Sequence, residues 1–257
     1  MIPQLKPRLT ALLSLALLSL LTWSSTYAAV DETSAESILL REVRMFELED
    51  TVSPYGYVLI KNVHLASDDS SERVPLIISL HGSGGGKKGL EGLKIGDEKY
   101  FADAGHSYLY IKPATIERWE PDALNALIDT VLVENEALID PKRIYLYGYS
   151  MGGYGSWRYC IDYGYRIAAM MAIAGGFREI SDVATYDFKY FKDLPVWAFH
   201  NRDDQVVPLI VGQTPIDAAK AVGGNPKFTI NESGKHKIQL SKNFTEEVLD
   251  WLFAQSR

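Results

Sequence analysis

Short apolar runs separated by amphipathic helical stripes constrain the architecture of this chain more than any other feature. Residues 43–48 and 57–63 read as two leading strands, an antiparallel pair, with the polar stretch 68–71 as the turn after them. Residues 76–80 form a continuous apolar run, the pattern of a strand covered on both faces. Further strand-like runs lie at 108–111, 144–147, 168–174, 196–199 and 228–230. Between them, Pro121 opens a helix with Leu124, Leu127, Ile128, Val131 and Leu132 on one stripe, ended by Asp140-Pro141. A second helix is expected from about Tyr154. A third is expected to start at Thr214-Pro215 and stop at Gly223-Gly224. A last helix is expected to be capped by Asn243, with Glu246 three residues on. Such alternation implies a mostly parallel twisted sheet with helices on both faces.

The first 28 residues have a different character. Lys6 and Arg8 precede a stretch, 9–21, built almost wholly of Leu, Ala and Ser, and a short segment of mostly small residues follows. This is the order of a secretory signal peptide, and the apolar run is short for a membrane-spanning helix. Cleavage after Ala28 would leave small Thr26 and Ala28 at the two positions that need them. The expected product is one domain, residues 29–257, exported to the periplasm or beyond, with no stable membrane partner. The formal charge of −7 becomes more negative once Lys6 and Arg8 are removed. An acidic surface argues against nucleic acid as a partner. Cys160 is the only cysteine, which excludes an intrachain disulfide and a thiol-rich metal site.

Gly148-Tyr149-Ser150-Met151-Gly152 fits G-x-S-x-G. It follows a strand-like run and precedes a helical one, so it resembles the nucleophile elbow of the α/β-hydrolase fold. The glycines allow a sharp turn and a close approach of strand to helix. His81-Gly82-Ser83-Gly84-Gly85-Gly86 follows the third strand. In this fold an oxyanion is held by the amide after the nucleophile, here Met151, and by one from the loop after that strand, for which Ser83 is the candidate. The loop does not match a phosphate-binding pattern, because Lys87 is followed by Lys88 and Gly89. His81 reads as a residue that braces the turn. The expected chain order is serine, acid, histidine, and only His200 and His236 follow Ser150. His236 lies in a loop between the last strand and the last helix, which suits a general base. Asp203 and Asp204 are both placed to orient it.

Several segments in order resemble the bacterial phospholipase/carboxylesterase-like α/β-hydrolases, a group that includes predicted peptidases and polyhydroxybutyrate depolymerase-like enzymes. They are Leu80-His81-Gly82-Ser83-Gly84, Arg118-Trp119-Glu120-Pro121, Gly148-Tyr149-Ser150-Met151-Gly152-Gly153, Ala174-Gly175-Gly176, the stretch from Leu194 to His200 with Asp204 and Val207-Pro208, and Gly234-Lys235-His236. The resemblance implies Asp204 as the acid, a structural role for His200, and Trp119 beside the substrate pocket. Asn201 departs from the family pattern, which often has glycine there, as do Lys237 and Ile238, where an aromatic residue is common; these departures are expected at the rim. The implied activity is hydrolysis of a small-molecule or oligosaccharide carboxylic ester through an acyl-enzyme, without metal or organic cofactor. Peptide or amide cleavage by the same residues is the alternative, and a non-catalytic binding protein on a hydrolase scaffold is a third reading. No surface-binding domain or linker is visible, which disfavours polymer degradation.

Overall fold

The structure is a computed structural model, and it describes residues 38–46, 55–65, 73–93, 96–177 and 180–257. The expected signal segment and the turn at 68–71 lie outside them. In chain order the elements are β1 (Ile38–Phe46), β2 (Tyr57–Leu65), β3 (Val74–Leu80), α1 (Lys99–Asp103), β4 (Tyr108–Pro113), α2 (Pro121–Glu134), β5 (Ile139–Tyr149), α3 (Met151–Tyr163), β6 (Ala169–Ile173), α4 (Ile180–Val183), β7 (Val196–Asn201), α5 (Leu209–Ala221), β8 (Lys227–Asn231), α6 (Leu240–Asn243) and α7 (Glu246–Phe253). The strands form one eight-stranded sheet in the order β1-β2-β4-β3-β5-β6-β7-β8. β1 with β2 and β2 with β4 are antiparallel, and every later pairing is parallel. This is the mostly parallel sheet anticipated from the alternation of elements, in the α/β-hydrolase fold implied by the elbow and the family resemblance.

Two buried clusters show why both faces of the sheet are covered. Leu76, Ile78 and Leu80 of β3 and Ile144 and Leu146 of β5 join Leu124, Leu127, Ile128 and Val131 of α2 and Trp157 of α3 on one face. Ile77, Tyr145 and Tyr147, one position out of phase, join Phe101 of α1 and Val248, Leu249 and Leu252 of α7 on the other. The period-two alternation of a strand divides one apolar run between two cores.

Helix boundaries differ from the sequence expectation in four places. α2 stops at Glu134, because the Asn135 side chain donates to the Val131 carbonyl at 2.9 Å and closes the last turn. Asp140-Pro141 instead belong to β5, where the register with β3 shifts between the Val74 and Leu76 pairings. α3 starts three residues early, at Met151, directly on the elbow. α5 starts at Leu209 and runs through Pro215. Pro215 has no N–H to offer the Val211 carbonyl one turn back; that oxygen accepts the Phe177 N–H at 3.3 Å instead. Asn243 ends α6 and accepts the Gln239 N–H, while Thr245 precedes α7.

Beside the second core lies a charge pair of buried Lys112 and partly buried Asp97. Lys112 Nζ lies 2.9 Å from Asp97 Oδ1, and Asp97 Oδ2 also accepts from Ser79 Oγ at 3.2 Å and from the Tyr147 hydroxyl. Burial opposes the Asp97 charge, but Lys112 and then Tyr147 outweigh it and hold the carboxyl below its ordinary range. The stabilisation is therefore complete above the unfolded carboxyl pKa of about 4 and disappears as pH falls through the lowered folded value. Lys112→Met should strand the carboxylate and cost about 3–5 kcal/mol at neutral pH. Urea denaturation at pH 7 should show that loss, and the difference from the parent should shrink below pH of about 4.

Candidate active site

Ser150 sits between β5 and α3 with φ 54° and ψ −116°. A non-glycine residue at positive φ is strained by roughly 1–3 kcal/mol and persists only where its surroundings hold it. Here the Ser150 N–H donates to the Ile173 carbonyl at 2.9 Å, and the Ser150 carbonyl accepts the Tyr154 N–H at 3.0 Å. Two glycines permit the turn by close approach. A Cβ on Gly148 would lie 2.1 Å from the Gly152 oxygen, and one on Gly152 would lie 1.9 Å from the Leu80 oxygen. α3 therefore begins against the backbone of β3 and β5, and its free amides point toward the serine end.

Three side chains distant in the chain converge there. His236, in the loop after β8, has Nε2 2.9 Å from Ser150 Oγ and Nδ1 2.7 Å from Asp204 Oδ2. A neutral ring that donates Nδ1–H to the carboxylate leaves its Nε2 lone pair for the serine hydroxyl. Asp204 is buried, in the loop after β7, and its Oδ1 accepts the Val206 and Val207 N–H groups, each at 2.9 Å. Burial acts to raise the Asp204 pKa. The Val207 amide, the His236 ring and the Val206 amide outweigh it and hold the carboxyl below its ordinary value. Of the two adjacent aspartates, Asp204 is thus the one joined to His236. Asp203 is exposed but not idle, since its Oδ1 accepts the Lys235 N–H at 2.7 Å.

His200 is buried beside this group, with Nε2 2.8 Å from the Val207 carbonyl. Burial is the largest influence and lowers its pKa, so the neutral ring donates to Val207 and shapes the Asp204 loop. His81 fixes the other loop. Its Nδ1 lies 2.8 Å from the Gly82 carbonyl and its Nε2 accepts the Thr115 N–H at 3.2 Å. These two bonds require the neutral tautomer protonated at Nδ1, consistent with a pKa lowered first of all by burial.

The loop after β3 lies along the elbow: a Cβ on Gly82 would be 3.3 Å from Ser150 Cβ. Ser83 follows, exposed. Among the described residues, neither the Ser83 nor the Met151 N–H donates to a protein atom, so both remain available to a ligand. Trp119, expected at the substrate pocket, is only 5% exposed. Its indole N–H donates to the His81 carbonyl at 3.2 Å, and the ring meets Tyr55 and His81 edge-on. From this buried position it braces the His81 end of the 81–86 loop, as an ordinary core tryptophan also could. Asn201, expected at the rim, is also buried and contacts the His236 loop. Among the described residues no group of three or more His, Cys, Asp or Glu side chains is placed to hold a metal ion.

A mostly parallel sheet, a strained serine on a strand–helix elbow and a histidine–aspartate pair at its hydroxyl define an α/β-hydrolase. Within that class the chain belongs to the phospholipase/carboxylesterase family, whose sequence model matches residues 110–252. No curated protein matches the chain significantly. Among solved structures it is similar to a thermostable esterase, at 26% identity and a TM-score of 0.65, over 84% of this chain and 63% of that one. It also resembles a Pyrococcus horikoshii acylaminoacyl peptidase, at 18% identity and a TM-score of 0.58, over 76% of this chain and 38% of the peptidase. A ferulic acid esterase shares the fold at 13% identity and a TM-score of 0.59, over 84% of this chain and 97% of the esterase. The chain thus spans under two thirds of the length of the first two.

Gly152→Ala places a methyl group on the Leu80 carbonyl, where backbone must move to admit it. The expected cost is about 3 kcal/mol, read as a lowered midpoint in chemical denaturation.

Proposed function

We propose that this hydrolase cleaves small carboxylic esters through a covalent acyl-enzyme, with Ser150 as nucleophile, His236 as general base and acid, and Asp204 as the group that orients and stabilises the imidazolium. The observation that carries the reading is the continuous hydrogen-bonded line from Ser150 Oγ through the His236 ring to Asp204. Ser150 Oγ attacks the carbonyl carbon as its proton passes to His236 Nε2. The carbonyl oxygen takes the negative charge and is met by the Ser83 and Met151 amides. The intermediate then expels the alcohol oxygen, which takes the proton from Nε2 and leaves the acyl group on Ser150. Water gives a proton to Nε2 and attacks the acyl carbon, and collapse releases the acid as His236 reprotonates Ser150 Oγ. Each proton taken up is returned, so the cycle needs no external acid, base or oxidant.

Membership of the phospholipase/carboxylesterase family and the likeness to an esterase favour an ester over an amide. The basic, apolar, small-residue order of residues 1–28 supports export with cleavage after Ala28. The mature protein recovered from a periplasmic fraction should then begin at Ala29, as read by N-terminal sequencing.

Ser150→Ala should lower turnover of p-nitrophenyl acetate by at least about 10³-fold without changing the fold, and a fluorophosphonate should label the parent but not the variant. Full activity in Ser150→Ala would reject the assignment; an unlabelled, inactive parent would favour a binding scaffold. Asp204→Asn should cost about 10⁴-fold in kcat, because an amide at that position favours the wrong imidazole tautomer. Faster release from a p-nitroanilide peptide than from the ester would favour the peptidase alternative.

A further inference from the structure

We propose that Asn201 is a positioning residue for His236: its carboxamide, together with the Tyr149 hydroxyl, holds the loop that carries the imidazole. The inference rests on the reading of His236 as the base acting on Ser150. Residues 235–237 belong to no helix or strand, so no ladder orders them. Lys235 holds φ 53°, a conformation its side chain disfavours. A catalytic ring on such a segment stays within reach of its partner only if the segment's backbone groups have fixed partners elsewhere.

Side chains from the neighbouring strand ends supply them. Asn201 Nδ2 donates to the Lys235 carbonyl at 2.8 Å and to the Lys237 carbonyl at 3.2 Å, one on each side of His236. The Tyr149 hydroxyl donates to the carbonyl of His236 itself at 2.8 Å, and its ring stacks on the imidazole with centroids 5.3 Å apart. Three consecutive carbonyls are thus capped by two side chains. Asp203 takes the Lys235 N–H from the solvent side, where water competes for the bond.

Asn201 is the member best placed to dominate. It is 4% exposed, at the last position of β7, and its backbone registers with Asn231 of β8. Its Oδ1 accepts from Asn231 Nδ2 at 3.0 Å, which settles the amide orientation and turns both N–H bonds toward the loop. Tyr149 immediately precedes Ser150. The serine and the histidine loop are therefore referred to one sheet end, through β5 for one and β7 for the other.

The test compares Asn201→Leu in the parent and in a His236→Ala background, with Tyr149→Phe run in parallel. Leucine keeps the forked shape at a somewhat larger volume and removes both the donor and the Oδ1 acceptor that Asn231 uses. In the parent, Asn201→Leu should lower kcat on p-nitrophenyl acetate by about 10–100-fold with KM changed by less than about twofold. In the His236→Ala background, with no imidazole left to place, the residual rate should change by less than about twofold. Tyr149→Phe should show the same pattern with a smaller loss, and it carries the test should Asn201→Leu not fold. Equal losses in both backgrounds, an unchanged kcat in the folded variant, or a raised KM with kcat retained would each overturn the proposal. A His236→Ala protein with parental activity would instead overturn the triad reading beneath it, and the single variants keep the two failures apart.

Discussion

The close seating of α3 on the backbone of β3 and β5 is the constraint from which the site follows. At Gly152 the helix approaches the Leu80 carbonyl so nearly that no side chain fits between them. Because the helix starts there, the chain must reverse within one residue, and Ser150 takes the strained conformation that results. The same contact brings the end of β3, and the loop beyond it, alongside the elbow. One packing decision thus sets three things together: the exposure of the hydroxyl, the free amide of Met151 and the nearness of Gly82 and Ser83. The family-level chemistry of such sites depends on donors fixed before charge develops, and backbone amides pinned by helix packing meet that requirement.

Two carboxylates, Asp204 buried and Asp97 partly buried, illustrate how differently a charge can be held beside one sheet. Asp97 is matched by a permanent cation, Lys112, with hydroxyls filling the remaining acceptor sites. That arrangement is complete and has no reason to change. Asp204 accepts from two backbone amides and faces the His236 ring, and among the described residues no Lys or Arg forms an ion pair with it. Its negative charge is solvated by dipoles but not cancelled. In the proposed cycle a proton arriving on His236 would gain a full opposite charge at 2.7 Å, and an adjacent lysine would have diminished that gain in advance. His200, 3.8 Å from the same carboxylate, is kept neutral by burial and so does not compete.

Sheet architecture was legible because strand burial writes itself as apolar runs, and the elbow because G-x-S-x-G between a strand and a helix has few other uses. Asp203 and Asp204 could not be separated from the residues themselves, since only the turn closed by the Val206 and Val207 amides decides which carboxylate points inward. Pro215 read as a helix start because the rule for proline at a first turn is local. The Phe177 N–H that relieves its partner carbonyl lies 38 residues away in sequence and leaves no trace near the proline. Trp119 was placed at the pocket by likeness alone, and its bond to the His81 carbonyl is a contact of the same long-range kind. The holding role proposed for Asn201 and Tyr149 has no sequence signature for a further reason: they act on carbonyl groups, which every residue possesses, so nothing in the composition of the His236 loop records that it is held.

Both working loops are secured by side chains hydrogen-bonded to loop backbone, from the ends of β5 and β7 for one and from the segment before α2 and the loop itself for the other. Trp119 and the His81 ring tie down the segment that offers Ser83, and Asn201 with Tyr149 ties down the segment that offers His236. The choice of groups follows from what each loop must do. A lysine or arginine at position 201 could also donate to the two carbonyls, but its charge would stand beside a ring that becomes cationic during each proposed turnover and would oppose that step. An acid there could not donate to carbonyls while ionised. A carboxamide gives directional donors without net charge, so it can hold the imidazole in place while leaving its proton affinity to Asp204.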